Sequence, residues 1–184
     1  MNTFLITFVI SLIIFYFFRD PIRSINTDDN SKFLSPSDGK IVSIKEISDP
    51  DMGNAFKIAI FLSFFNVHRQ WVPINSKVLN THYNPGKYFV ASKDKASLNN
   101  EQSSILFKDD SDNPFRIKQI AGFVARRIVN HMTPDLLVKK GQKLGFIKFG
   151  SRVEVIVPKN NFEIAIKKGD TVRGCKTILG HFKS

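Results

Sequence analysis

Beyond residue 20 the chain holds no amphipathic run of four helical turns. Its apolar stretches are short, at 41–44, 56–65, 78–83, 116–125, 144–149 and 153–157. Each is rich in Ile, Val and Phe and is bounded by Gly, Pro, Asn or Asp. Segments of that length, punctuated by turn residues, read as strands. The expected fold is mainly β, a compact barrel- or sandwich-like domain. Short helices are expected only at 92–104 and 131–137. With 184 residues, 42% of them hydrophobic, the chain suits one domain with its own core, with or without an added anchor.

That anchor is expected at the N-terminus. Phe4 to Phe18 reads FLITFVISLIIFYFF, with no charge and only two aliphatic hydroxyl residues, Thr7 and Ser11. As a helix it rises about 22 Å, short of the roughly 30 Å hydrocarbon core. No Lys or Arg precedes it and no small-residue cleavage site follows, so a removed signal peptide is not expected. Arg19 and Arg23 come directly after, and positive flanks stay on the cytoplasmic side. The reading is a hydrophobic helix that spans or lies in the cell membrane, with the body cytoplasmic. Residues 1–23 form anchor and basic flank, 24–34 a polar linker, and 35–184 the folded body.

One internal echo stands out. VKKGQKLGFI at 138–147 resembles IKKGDTVRGCKTIL at 166–179. Both place Lys-Lys-Gly between apolar strands, which predicts two related, lipoyl-like hairpins. Asp94-Lys95-Ala96 also suggests a lipoyl carrier, but it sits in a polar stretch without flanking strands. A surface loop is expected there.

The usual cofactor signatures are missing. One cysteine, Cys175, allows no intramolecular disulfide and no thiolate cluster. The four histidines share no zinc spacing, so no metal is expected. There is no phosphate-binding or dinucleotide glycine motif and no nucleophile elbow. The net charge of +11 favours an anionic partner. Aromatic and basic residues do not interleave into a stacking surface, so an anionic membrane is expected rather than nucleic acid.

Two polar constellations remain. FFNVHRQWVP at 64–73 places Asn66, His68 and Arg69 at the end of a long apolar run. GFIKFGSRVEVIV at 145–157 places Gly150-Ser151 between two apolar strands, with Arg152 next. As bare patterns the first is equally a structural histidine and the second a turn.

Taken in order, FFRDPIR (17–23), SPSDGKI (35–41), FLSFFNVHRQWVP (61–73), YNPGKYFVASKDKASLNNE (83–101), QIAGFVARRIV (119–129), GQKLGFIKFGSRVEV (141–155) and IKKGDTVRG (166–174) resemble the short form of the phosphatidylserine decarboxylase family. The likeness covers nearly the whole chain. It implies that the chain cuts itself between Gly150 and Ser151 and that Ser151 becomes a covalent pyruvoyl group. It implies fragments 1–150 and 151–184, held together as a heterodimer. A higher oligomer is compatible with the sequence, but nothing in it requires one. It implies a Schiff base with the headgroup amine of phosphatidylserine, release of carbon dioxide and formation of phosphatidylethanolamine. It further implies an acid-base role for His68 and a supporting role for Asp38, orienting the His68 ring in an Asp-His-Ser arrangement. Arg69, Arg126 and Arg127 are candidates for the substrate's phosphate or carboxylate.

Longer members of the family carry a second histidine where this chain has Trp71, so the group that returns the proton is left open among His68, His131 and water. The same reacting atoms occur on an archaetidylserine-type ether lipid. A non-enzymatic, membrane-tethered binding module is the reading from another class.

Overall fold

The computed structural model describes residues 3–25, 27, 29–86, 100–122, 127–148 and 151–183. The apolar N-terminal run forms helix α1 (Thr3–Phe17). Its side chains are apolar all round and almost all exposed; Phe17 alone is buried. No described helix is long and apolar enough to cross a membrane.

The rest of the described chain is mainly β. The short strands are β1 (Lys32–Leu34), β4 (Arg69–Trp71), β8 (Ile128–Asn130), β9 (Leu137–Val138), β12 (Phe162–Ile164) and β13 (Thr171–Val172). The longer ones are β2 (Gly39–Asp49), β3 (Gly53–Leu62), β5 (Ser76–Asn84), β6 (Gln102–Asp109), β7 (Pro114–Ile120), β10 (Lys143–Ile147), β11 (Ser151–Pro158) and β14 (Ile178–Phe182). An eight-stranded sheet in the order β13-β2-β3-β11-β7-β6-β5-β9 curls into a half-barrel. Two three-stranded sheets, β1-β14-β12 and β4-β10-β8, complete the described fold.

The core follows from strand alternation. Ile58, Ile60 and Leu62 of β3, Ile105 and Phe107 of β6, Phe115 and Ile117 of β7, and Val153, Val155 and Val157 of β11 all point inward. β11 lies centrally, paired with β3 along Ser151–Pro158 and with β7 along Arg152–Ile156. Its second face is closed as well, by an Arg152–Glu154 ion pair at 3.0 Å with both side chains 1% exposed.

Two helix expectations give way to other structure. Residues 92–99 lie outside the described residues, but 102–104 begin β6. There burial alternates strictly, and the inward positions include Ser103, a polar residue that hides the two-residue period. At 131–137 a turn from Thr133 to Leu136 replaces a helix. Asp135 sits at φ 68, which no right-handed helix accommodates.

The echo is real, though not as hairpins. Gln142 N–H donates to Lys139 O at 2.9 Å, and Asp170 N–H to Lys167 O at 3.2 Å. Each turn is braced by a side chain, Gln142 Oε1 on Lys139 N and Asp170 Oδ2 on Lys167 N. Gly141 and Gly169 take positive φ of 80 and 101, where a Cβ would be strained. The strands on either side of the first turn do not pair with each other. β9 joins β5, whereas β10 joins β4 and β8. After the second turn β13 pairs with β2. The repeated unit is a turn that carries the chain between separate pairings. The Asp94-Lys95-Ala96 triplet lies outside the described residues.

Candidate active site

Ser151 is the first residue of β11 and is fully buried. Strand alternation puts it on the inward face with Val153 and Val155. Opposite it stands Leu62, the last residue of β3. Ser151 Oγ has no hydrogen-bond partner among the described residues. A buried hydroxyl without a partner costs about 1–3 kcal/mol, and such groups in native folds call for an explanation. Gly150, the other half of the expected cleavage site, lies outside the described residues.

From Leu62 the chain enters a tight loop that ends at His68. Asn66 N–H donates to Ser63 O at 3.0 Å, and Asn66 Oδ1 accepts from Ser63 N and Oγ at 2.8 Å each. The turn fixes the next residues. His68 Nδ1 lies 2.9 Å from Asn66 O, and His68 O accepts from Gln70 Nε2 at 2.6 Å and from Ile147 N at 3.2 Å.

The ring is fully buried. A carbonyl can only accept, so Nδ1 carries the proton and Nε2 keeps its lone pair. That Nε2 is buried and has no partner among the described residues. Burial drives the imidazole pKa down from 6.5 to about 4, against the upward pull of the Asn66 carbonyl; Arg19 lowers it further and Asp38 raises it. His68 is therefore neutral at pH 7, with a free basic nitrogen.

Asp38 ends the loop before β2, directly ahead of Gly39. At Gly39 φ is 148, and an added Cβ would lie 2.4 Å from Phe61 O. The Asp-Gly pair thus brings β2 against β3 more closely than any side chain allows. The Asp38 carboxylate is taken by Arg23 through both oxygens, one at 2.7 Å, and by Gly174 N–H at 2.8 Å. Arg23 also donates to Gly174 O at 2.9 Å and lies 4.4 Å over the Trp71 ring. The ring of His68 is thus oriented by a backbone carbonyl, while Asp38 is engaged by a guanidinium, which matches a carboxylate at two points where an imidazole offers one. Trp71, 2% exposed, stacks on that guanidinium.

The arginines divide. Arg69 forks onto Asp20 at 3.2 and 2.8 Å, and Lys143 Nζ reaches the same carboxylate at 2.7 Å. Burial raises the Asp20 pKa, but these cations outweigh it and hold the carboxyl below its ordinary range. Arg69 Nη1 also approaches His131 Nε2 at 3.5 Å. Arg127 is exposed and precedes β8 rather than lying in a strand. Arg126 lies outside the described residues. Arg23, read from sequence as a membrane flank, is instead buried in the body, its side chain 4% exposed. Sequence reading missed it, and it missed Phe17, whose ring centroid lies 4.4 Å from that of His68. The alternation of Arg and Asp in RDPIR was the available signal for Arg23.

Two cavities elsewhere contain none of Ser151, His68 or Asp38. One of about 660 Å³ is lined by Asn75, Asp109 and Asn161 among others, and one of about 310 Å³ by Asp49, His82 and Lys118 among others.

Comparison with known proteins points in one direction. Residues 10–180 match a family model described as phosphatidylserine decarboxylase. A phosphatidylserine decarboxylase proenzyme of Rickettsia typhi is 43% identical over 182 residues, covering 96% of this chain and 78% of the relative. Its counterpart from Rickettsia prowazekii matches equally well. That of Rickettsia felis is 43% identical over 172 residues, 91% of this chain and 74% of the relative.

Proposed function

Because this chain belongs to the phosphatidylserine decarboxylase family, we propose that Ser151 is the residue it converts into its own catalytic group, by cutting the bond after Gly150. The reaction of the family is a carboxy-lyase reaction: phosphatidylserine loses its headgroup carboxylate as carbon dioxide. The proenzyme name of the relatives implies self-processing.

The observation that carries the assignment is the buried Ser151 Oγ, which makes no hydrogen bond among the described residues. Its attack on the Gly150 carbonyl would exchange the peptide bond for an ester and move the proton to the displaced nitrogen. Removal of the Cα proton then expels the Gly150 carboxylate and leaves a dehydroalanine at 151. Addition of water releases ammonia and leaves a ketone at the new N-terminus. Both proton removals need a base that is unprotonated at pH 7. His68 Nε2 fits, being unprotonated, unpartnered and on the loop that continues from the strand paired with Ser151. Such a pyruvoyl group supplies the electron sink that decarboxylation requires. His68 is also the candidate for returning the proton, since Trp71 carries no acid-base group and His131 is exposed.

The fold supports processing without dissociation. Fragment 151–184 would carry β11 to β14. β11 is held between β3 and β7, β13 on β2, and β14 against β1, all contributed by fragment 1–150. We place α1 in lipid because its large apolar side chains are exposed from Phe4 to Tyr16, and the body on the cytoplasmic side because Arg19 follows the apolar run directly. If the positive body also engages anionic lipid, vesicle binding should fall as salt rises, and insensitivity to salt would count against that contact.

Ser151→Ala tests the assignment. The variant is expected to stay one chain and to release no carbon dioxide from phosphatidylserine in detergent micelles. Cleavage of the variant at the same bond would overturn it.

A further inference from the structure

We infer that Phe17, the last residue of the apolar helix, is a positioning residue for His68: its ring roofs the imidazole and keeps water from the basic nitrogen. The inference rests on the reading of His68 as the processing base.

Phe17 is the one buried residue of α1 and is 0% exposed, while its neighbours on the helix face outward. Its ring lies 4.4 Å from the His68 ring at 38°, in van der Waals range for two tilted aromatics. Further rings hem it in: Phe18 at 5.1 Å, Phe64 at 5.4 Å and Phe146 at 6.3 Å. The last turn of α1 is also fastened to the histidine loop. Arg19 Nη2 donates to Phe65 O at 2.5 Å and Tyr16 Oη to the same oxygen at 3.4 Å, with Arg19 stacked 4.0 Å over Tyr16. Beyond Arg19, Asp20 grips Arg69 and Lys143, and Arg23 grips Asp38. The segment Phe17–Arg23 is therefore a strap lashed across the site, and α1 is more than a tether.

The chemistry gives the roof a purpose. A neutral imidazole serves as a base, and charging it inside an apolar shell is unfavourable. The charged groups acting on the ring are Arg19, from the strap, which opposes protonation, and Asp38, before β2, which favours it. Both are already engaged, by Phe65 O and by Arg23. Apolar cover is what remains to exclude water, and Phe17 provides it from a helix whose other side chains face outward.

The test is made on full-length protein in detergent. In the uncleavable Ser151→Ala background, the His68 ring is titrated by NMR with Phe17 intact, Phe17→Ala or Phe17→Leu. Phe17→Ala is expected to raise the midpoint by at least one pH unit, and Phe17→Leu, which keeps an apolar cover, to restore most of it. With Ser151 present, the acid limb of the self-cleavage rate should move upward in parallel. Arg19→Gln, at a less buried position, should raise the midpoint by a smaller step through the lost charge, and Phe17→Gln, which keeps bulk but not apolar cover and should also raise the midpoint, serves should Phe17→Ala fail to fold. An unmoved midpoint in Phe17→Ala, or in Phe17→Gln should Phe17→Ala not fold, overturns the roof. A midpoint that moves while the cleavage profile stays put refutes His68 as the base, and the positioning role with it.

Discussion

Arg23 meets both carboxylate oxygens of Asp38, tying the segment behind the apolar helix to the loop that opens the large sheet. Both side chains are largely out of water, 4% and 13% exposed. Removing one member of such a pair leaves an uncompensated charge. Arg23→Ala should therefore destabilise the protein by about 3 kcal/mol, far above the value of an exposed pair. Urea unfolding in the Ser151→Ala background, where a single chain unfolds, measures it. A loss below about 1 kcal/mol would mean that the pair is as weak as a surface contact.

His68 makes stability depend on pH. Its folded pKa of about 4 is below the ordinary 6.5, so between those values the unfolded chain binds the extra proton. The contribution is fully present above pH 6.5 and is lost as the pH falls toward 4. Its size is on the order of 3 kcal/mol. In the Ser151→Ala background, His68→Gln should shrink the stability difference between pH 7 and pH 4 by that amount. An unchanged difference in urea midpoints would show that the ring is not held neutral by its surroundings.

The processed halves should not separate under native conditions. The β11 strand has partners on both edges, and its inward valines belong to the main core. Size-exclusion chromatography in detergent should give one species containing both fragments, and denaturant should split it. Native elution of the smaller fragment alone would contradict the interleaved topology.

The strands at 41–44, 56–65, 78–83 and 153–157 were legible because inward Ile, Val and Phe recur with turn residues between them. β6 was not, since inward Ser103 breaks the apolar alternation. The Lys-Lys-Gly turns were legible as turns because glycine at positive φ leaves a local signature. Which strands they join is decided by distant pairings that leave none. Ser151, His68 and Asp38 came from a resemblance; the residues alone read as a turn, a structural histidine and a turn. The partners of that site, Phe17 and Arg23, were hidden for different reasons. In a run apolar on every face, nothing marks the one residue that turns inward. An arginine after such a run carries the same letter whether it faces lipid or reaches Asp38.

The most direct measurement is the intact mass of the purified wild-type protein under denaturing conditions, after incubation in detergent or lipid. The account expects two fragments divided between Gly150 and Ser151, the smaller one starting with a ketone-bearing group that blocks Edman chemistry and reacts with a hydrazine. A single full-length chain, or a smaller fragment with a free serine amine at its N-terminus, would contradict it.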